Sequence, residues 1–102
     1  MRYKLRYLPL FWSDLNGAVT YISTVLNNPL AAENLMDLTE AKILEHLENP
    51  TFGVRYKGSK AREDDYYWSA VGNYMVFYVV HDDVMEVRRF LFGARDLTKM
   101  PL

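Results

Sequence analysis

Two short turns near the carboxy-terminal end constrain this chain more than any other feature. Gly72-Asn73 and Asp82-Asp83 divide the stretch 65–92 into three segments, 65–71, 74–80 and 84–92. A two-residue Gly-Asn connection supplies the positive φ that a tight β-hairpin requires. The middle segment is apolar throughout, with Tyr74, Val76, Tyr78 and Val80 alternating against Met75, Phe77 and Val79. A strand apolar on both faces belongs in the middle of a sheet. The third segment then returns antiparallel.

The preceding half has different periods. Residues 2–8 set Tyr3, Leu5 and Tyr7 against Arg2, Lys4 and Arg6, the period of two of a half-buried strand that Pro9 ends. From Phe11 the apolar residues fall at Leu15, Ala18, Ile22, Val25 and Leu26, the stripe of an amphipathic helix. Asn28-Pro29 opens a second helix, because Asn accepts from free amides and proline's missing N–H costs nothing in a first turn. Its buried stripe is Ala32, Met36, Thr39, Ile43 and Leu47, and Pro50 closes it near Asn49. Residues 51–62, with Gly53, Gly58, Ser59 and four bases, read as a loop. The predicted fold is α+β with order β-α-α-β-β-β, two helices packed on one face of an antiparallel sheet.

At 102 residues the chain makes one domain, 1–102, able to bury a core without staples. The absence of cysteine excludes disulfides and thiolate metal sites. No apolar run reaches the roughly 18 residues of a membrane span, and the chain opens straight into a strand pattern, so a cytoplasmic protein is expected. The net charge of -1 conceals a segregation. Glu33, Asp37, Glu40, Glu45 and Glu48 face only Lys42 in the second helix, whereas Arg55, Lys57, Lys60 and Arg62 crowd the loop and Arg88, Arg89, Arg95 and Lys99 the tail. A basic patch is the footprint of a nucleic-acid or acidic-protein partner, and equally of a solvated loop.

The stretch from Trp68 to His81, then Val84 to Asp96 with its Gly93-Ala94-Arg95-Asp96 ending, resembles the carboxy-terminal half of toxins of the RelE/ParE superfamily. The resemblance extends to Tyr3-Lys4-Leu5-Arg6-Tyr7, Asp14-Leu15 with Tyr21-Ile22, Asn28-Pro29-Leu30-Ala31-Ala32 and Leu47-Glu48-Asn49-Pro50, and it is closer to the ParE branch. It implies the same fold, a plasmid-stabilisation role as the toxin of a type II toxin–antitoxin pair, and neutralisation by a cognate antitoxin. The ParE branch poisons DNA gyrase. The RelE branch cleaves mRNA on the ribosome with Lys, Arg and Tyr side chains. Here that set is depleted: Tyr66, Tyr67 and Trp68 stand where bases are expected, Met75 replaces an arginine, and no tail tyrosine is evident. Arg95 is the one remaining catalytic candidate. A gyrase poison is therefore the favoured reading, with a RelE-like nuclease and a non-toxic binding module sharing the fold as alternatives. A homodimer or a toxin–antitoxin heterotetramer is compatible with the resemblance.

The residues expected to meet a target or partner are Arg55, Lys57, Lys60, Arg62, Trp68, Arg88, Arg95 and Lys99. Arg89 is different. Alternation puts it on the face of Met85, Val87 and Leu91, and buried arginines are rare without a partner, so an ion pair with a helix carboxylate such as Asp14 is expected. His46 and His81 read as surface residues without metal-ligand spacing, and no cofactor or metal is expected. Ser59 and Ser69 have no His and Asp set around them in the sequence. Tyr67 and Trp68 point to opposite faces, so one of them should be exposed.

Overall fold

In the computed structural model the described residues are 2–56 and 65–93. Strand β1 is Lys4–Tyr7, helix α1 Pro9–Thr20, followed by a π-helical turn Tyr21–Val25, and helix α2 Pro29–Leu47. A 3-10 turn, Pro50–Phe52, leads to the two-residue strand β2, Val54–Arg55, and then come β3 Tyr66–Val71, β4 Tyr74–His81 and β5 Val84–Phe92. The sheet order is β1-β5-β4-β3-β2, with two helices on one face, an α+β domain.

Local chemistry explains most of these elements. Gly72 has φ 58 in the first hairpin turn and Asp82 takes φ 53 in the second, the left-handed conformation that short polar side chains tolerate. Pro9 and Pro29 both occupy first-turn positions, and the Asn28 side chain accepts from the Ala31 N–H at 3.1 Å. Leu35 rather than Met36 packs against the core, and Met36 is exposed.

The sheet differs from the sequence reading in three respects. It is mixed rather than antiparallel, because β1 lies parallel to β5 with Leu5 opposite Met85 and Tyr7 opposite Val87. The α1–α2 hairpin and the three-stranded meander return the chain so that its last strand runs alongside its first. Second, Val54 and Arg55, read as loop, pair with Trp68 and Tyr67 as an edge strand. Third, β5 carries a bulge: Tyr78 opposes Val87 but Phe77 opposes Arg89, so Arg88 is the extra residue. The bulge resets the alternation, and Phe90 instead of Leu91 joins Met85 and Val87 on the helix face.

The core lies between the helices and the sheet, where Phe11, Leu15 and Ile43 meet Val71, Val76, Tyr78, Met85, Val87 and Phe90. A smaller cluster, Tyr56, Tyr66, Met75, Phe77, Val79 and Leu91, covers the other face of the sheet. The middle strand is therefore buried on both sides.

Candidate functional site

Three surfaces are built by this fold. The first is a cavity of about 320 Å³ where β1, α1 and α2 meet. Pro9 turns the chain from strand to helix so that Tyr7, Phe11 and Trp12 cluster with centroids 4.8 to 5.2 Å apart, Tyr7 stacked on Phe11 and Trp12 edge-on to Phe11. Trp12, Met36 and Leu44 line the cavity yet remain exposed, and Asp37 and Glu40 form its rim. Burial raises the Tyr7 hydroxyl above the ordinary phenol range, and the neighbouring Glu40 charge adds to the effect. Apolar anchors below an acidic rim suit an amphipathic segment bearing basic residues.

The second surface is the sheet face away from the helices. Glu86 is buried there and accepts from two arginines, Arg6 Nη1 at 3.1 Å and Arg88 Nε at 2.8 Å. Burial opposes its ionisation, but the bonds from Arg88 and Arg6 outweigh that and hold the carboxyl below its usual range. Arg88 also donates to the Tyr66 hydroxyl at 2.9 Å and reaches His81 Nε2 at 3.3 Å. Burial works against the Arg88 charge, and the bonds to Tyr66 and Glu86 overcome it, leaving the guanidinium more firmly protonated than usual. Beside this network Trp68, Met75 and Phe92 border an apolar hollow of about 400 Å³. Glu86, Arg6 and Arg88, the described charges of this network, are spent on one another. An ionised carboxylate clamped by two guanidinium groups is a poor proton donor and a weak base.

The third feature joins α2 to the sheet. His46 Nε2 lies 2.9 Å from Ser69 Oγ, and Nδ1 lies 3.4 Å from the Tyr78 hydroxyl, which donates to the Pro50 carbonyl at 2.7 Å. The Tyr78 proton is committed to the Pro50 carbonyl, which leaves the Tyr78 oxygen as an acceptor toward His46. Burial pushes the Tyr78 hydroxyl up to about 12. His46 is thus half-buried and bonded on both sides, not a surface residue, and Ser69 has the histidine neighbour that its sequence surroundings did not reveal. The partners come from α2, β3 and β4, so no local pattern announces them.

Of the residues expected to meet a partner, Arg88 and Trp68 share the open sheet face. Arg55 sits on the far edge strand, opposite Tyr67, and pairs with Asp65 at 2.5 Å. Lys57, Lys60, Arg62, Arg95 and Lys99 lie outside the described residues. Tyr67 stacks on Tyr78 on the helix side while Trp68 packs on the other, and both are half-buried, so neither is the exposed member expected. Arg89 donates from Nε and Nη2 to the Asp14 carboxylate at 2.7 and 3.1 Å, and the same carboxylate accepts from the Phe90 N–H at 3.0 Å. The bond to Asp14 raises the Arg89 pKa further. Sequence reasoning missed Glu86 and Tyr66. The Glu86–Arg88 spacing of two on one strand face was the available signal. Among the described residues no group of His, Asp and Glu could hold a metal ion.

The family described as ParE toxin of type II toxin-antitoxin system, parDE, matches residues 5–97. The chain belongs to this family. No curated protein sequence matches it. Among solved structures, the chromosomal ParDE system from P. aeruginosa is similar with a TM-score of 0.72 and 11% identity, over 89% of this chain and 96% of that one. The archaeal RelE-RelB complex from Pyrococcus horikoshii OT3 gives a TM-score of 0.54 at 20% identity, over 94% of this chain and 100% of the other. At such identities the likeness is one of fold. Membership of the ParE family makes this protein a toxin of the type II toxin–antitoxin class. No helix among the described residues of this ParE-family chain is long and apolar enough to cross a membrane.

Proposed function

We propose that the protein inhibits DNA gyrase by binding it and that a cognate antitoxin holds it inactive by covering the cavity between β1, α1 and α2. The observation that supports binding over catalysis is the Glu86 network. Ribonucleolytic cleavage needs a base at the 2′-hydroxyl, an acid at the leaving oxygen and positive charge free to meet the phosphate. Among the described residues of the open sheet face, Glu86 is occupied by Arg6 and Arg88, and Tyr66, Trp68 and Met75 pack beside them. Each missing acid–base group costs a factor of about 10² to 10⁴ in rate.

The antitoxin segment over the cavity carries apolar anchors beside Trp12, Met36 and Leu44 and basic residues facing Asp37 and Glu40. Such a segment orders as it binds and matches the opposite charge. The test uses the purified protein with the product of the neighbouring reading frame. Gyrase supercoiling should be inhibited by the toxin alone and restored by the second protein, and message on translating ribosomes should stay intact. Codon-dependent cleavage of ribosome-bound message would overturn the gyrase reading, and failure of the two proteins to associate at low salt would remove the proposed partner.

A further inference from the structure

The cavity between β1, α1 and α2 combines an aromatic floor with negative charge that the described fold does not answer. Tyr7, Phe11 and Trp12 cluster at its base, and Trp12 remains 44% exposed. Asp37 and Glu40, one turn apart on α2, stand exposed at the rim. None of the described lining residues is a cation, and among the described residues neither carboxylate has an ion-pair partner. The hydroxyl of Thr39 is committed to the Leu35 carbonyl at 2.7 Å, so it gives the rim no hydrogen. The rim charge also reaches the floor: after burial, Glu40 is what raises the Tyr7 hydroxyl.

We propose that this cavity binds a small organic cation, its apolar body against Tyr7, Phe11 and Trp12 and its ammonium or guanidinium head at Asp37 and Glu40. Aromatic rings attract a cation through their negative faces, tryptophan most strongly, so floor and rim select the same charge. A bare divalent metal needs several oxygen ligands at once, and two carboxylates above an aromatic floor do not supply them. The rim repels an anion, and a neutral ligand leaves both carboxylates unanswered. A volume of about 320 Å³ stands at the small end of the range for ligand sites, which fits one ring or short chain with a single charged head. The hollow on the open sheet face provides the contrast. It measures about 400 Å³ and holds Trp68, yet none of its described lining residues is charged. The inference goes beyond the antitoxin reading and meets it at one point: the free cation takes the place of the antitoxin's basic residues, so the two compete.

The experiment titrates the full-length protein with phenethylamine as its ammonium form, with phenethyl alcohol as the neutral counterpart and with hydrocinnamate as the anion. It follows the indole signals of the two tryptophans by NMR. Phenethylamine should shift Trp12 and leave Trp68 in place, with a dissociation constant of about a millimolar or tighter. The alcohol should bind about tenfold more weakly and the anion more weakly still, and added salt should narrow the difference. Asp37→Asn and Glu40→Gln, at exposed positions, should unfold at the wild-type temperature and each remove about two- to fivefold of the preference for the amine. Equal binding of amine and alcohol overturns the proposal, as does an equal shift of both indoles or no shift of Trp12. The product of the neighbouring reading frame should displace the amine. If it associates while the amine stays bound, the shared placement is overturned and the titration of the free protein still decides the cation site. If it does not associate, the antitoxin reading fails alone.

Discussion

Removing either member of the Asp14–Arg89 pair should destabilise the protein strongly while leaving its exposed surfaces intact. The Asp14 carboxylate accepts three hydrogen bonds, two from Arg89 and one from the Phe90 N–H, and the two side chains are 14% and 19% exposed. Truncating one partner of a buried ion pair strands the other and costs about 3–5 kcal/mol. The residual exposure places Arg89→Ala near the lower end, at about 3 kcal/mol. For a domain of this size that corresponds to a fall in Tm of about 12–24 °C. Asp14→Ala should cost at least as much, because it also leaves a strand N–H without its acceptor. Asp14→Asn keeps a neutral acceptor and should cost less than either. The measurement is urea unfolding followed by circular dichroism for both single variants and the double. The double should cost clearly less than the sum of the singles, since the first truncation already breaks the pair. Single-variant losses under about 1 kcal/mol that add in the double would refute the reasoning, because a pair of surface charges behaves that way.

Three further perturbations test other parts of the packing. Gly17 lies exposed within α1 with open space where a Cβ would stand, so Gly17→Ala should stabilise by about 0.5–1 kcal/mol, seen as a raised urea midpoint at unchanged slope. At Gly53 the outcome reverses: a Cβ there would collide with the Tyr78 hydroxyl, so Gly53→Ala should displace that hydroxyl from the Pro50 carbonyl and lower the Tm. Glu86 has its folded pKa below the ordinary carboxylate value, so its stabilising contribution is complete above about pH 4.5 and is lost as the pH falls through the folded pKa. Glu86→Gln should therefore flatten the acid limb of a stability–pH profile, and an unchanged limb would exclude Glu86 as its source.

What the sequence disclosed and what it concealed divide by the range of the interaction. The hairpins at Gly72-Asn73 and Asp82-Asp83, the Asn28 cap and the two-faced burial of β4 follow from neighbours in the chain, and all are legible. Arg89 on an apolar strand needs a carboxylate, and Asp14 is the only acid that α1 carries. The parallel pairing of β1 with β5 is not legible, because strand alternation says nothing about which edge a strand joins. The bulge at Arg88 depends on the β4 register, and without it the alternation wrongly assigns Leu91 to the helix face. Helical periodicity likewise carries Val25 and Leu26 into the core, since it assumes that the α-helix continues where the backbone has opened into a π turn. The His46–Ser69 and Arg6–Glu86 bonds span 23 and 80 residues and emerge only once the sheet is assembled.

The open edge of β5 is met by a carboxylate from α1. Pro9 ends β1, so beyond the Leu8 N–H bond to Val87 no strand among the described residues lies beside the edge of β5. Helix α1 begins at once and places Asp14 against that edge, where its carboxylate takes the Phe90 N–H in place of a neighbouring strand. Arg88 bonds to Glu86 and Tyr66 on the open face, while Arg89, opposite Phe77 in the register, reaches Asp14 on α1. Asp14 is also the last charged residue before the uncharged tip. The α1–α2 hairpin is thus pinned at its base by an ion pair and a backbone bond while its far end projects free of charge into solvent. The pinned end is the one embedded in the core beside Phe11 and Leu15, where close packing holds the helix that carries Asp14 against the sheet.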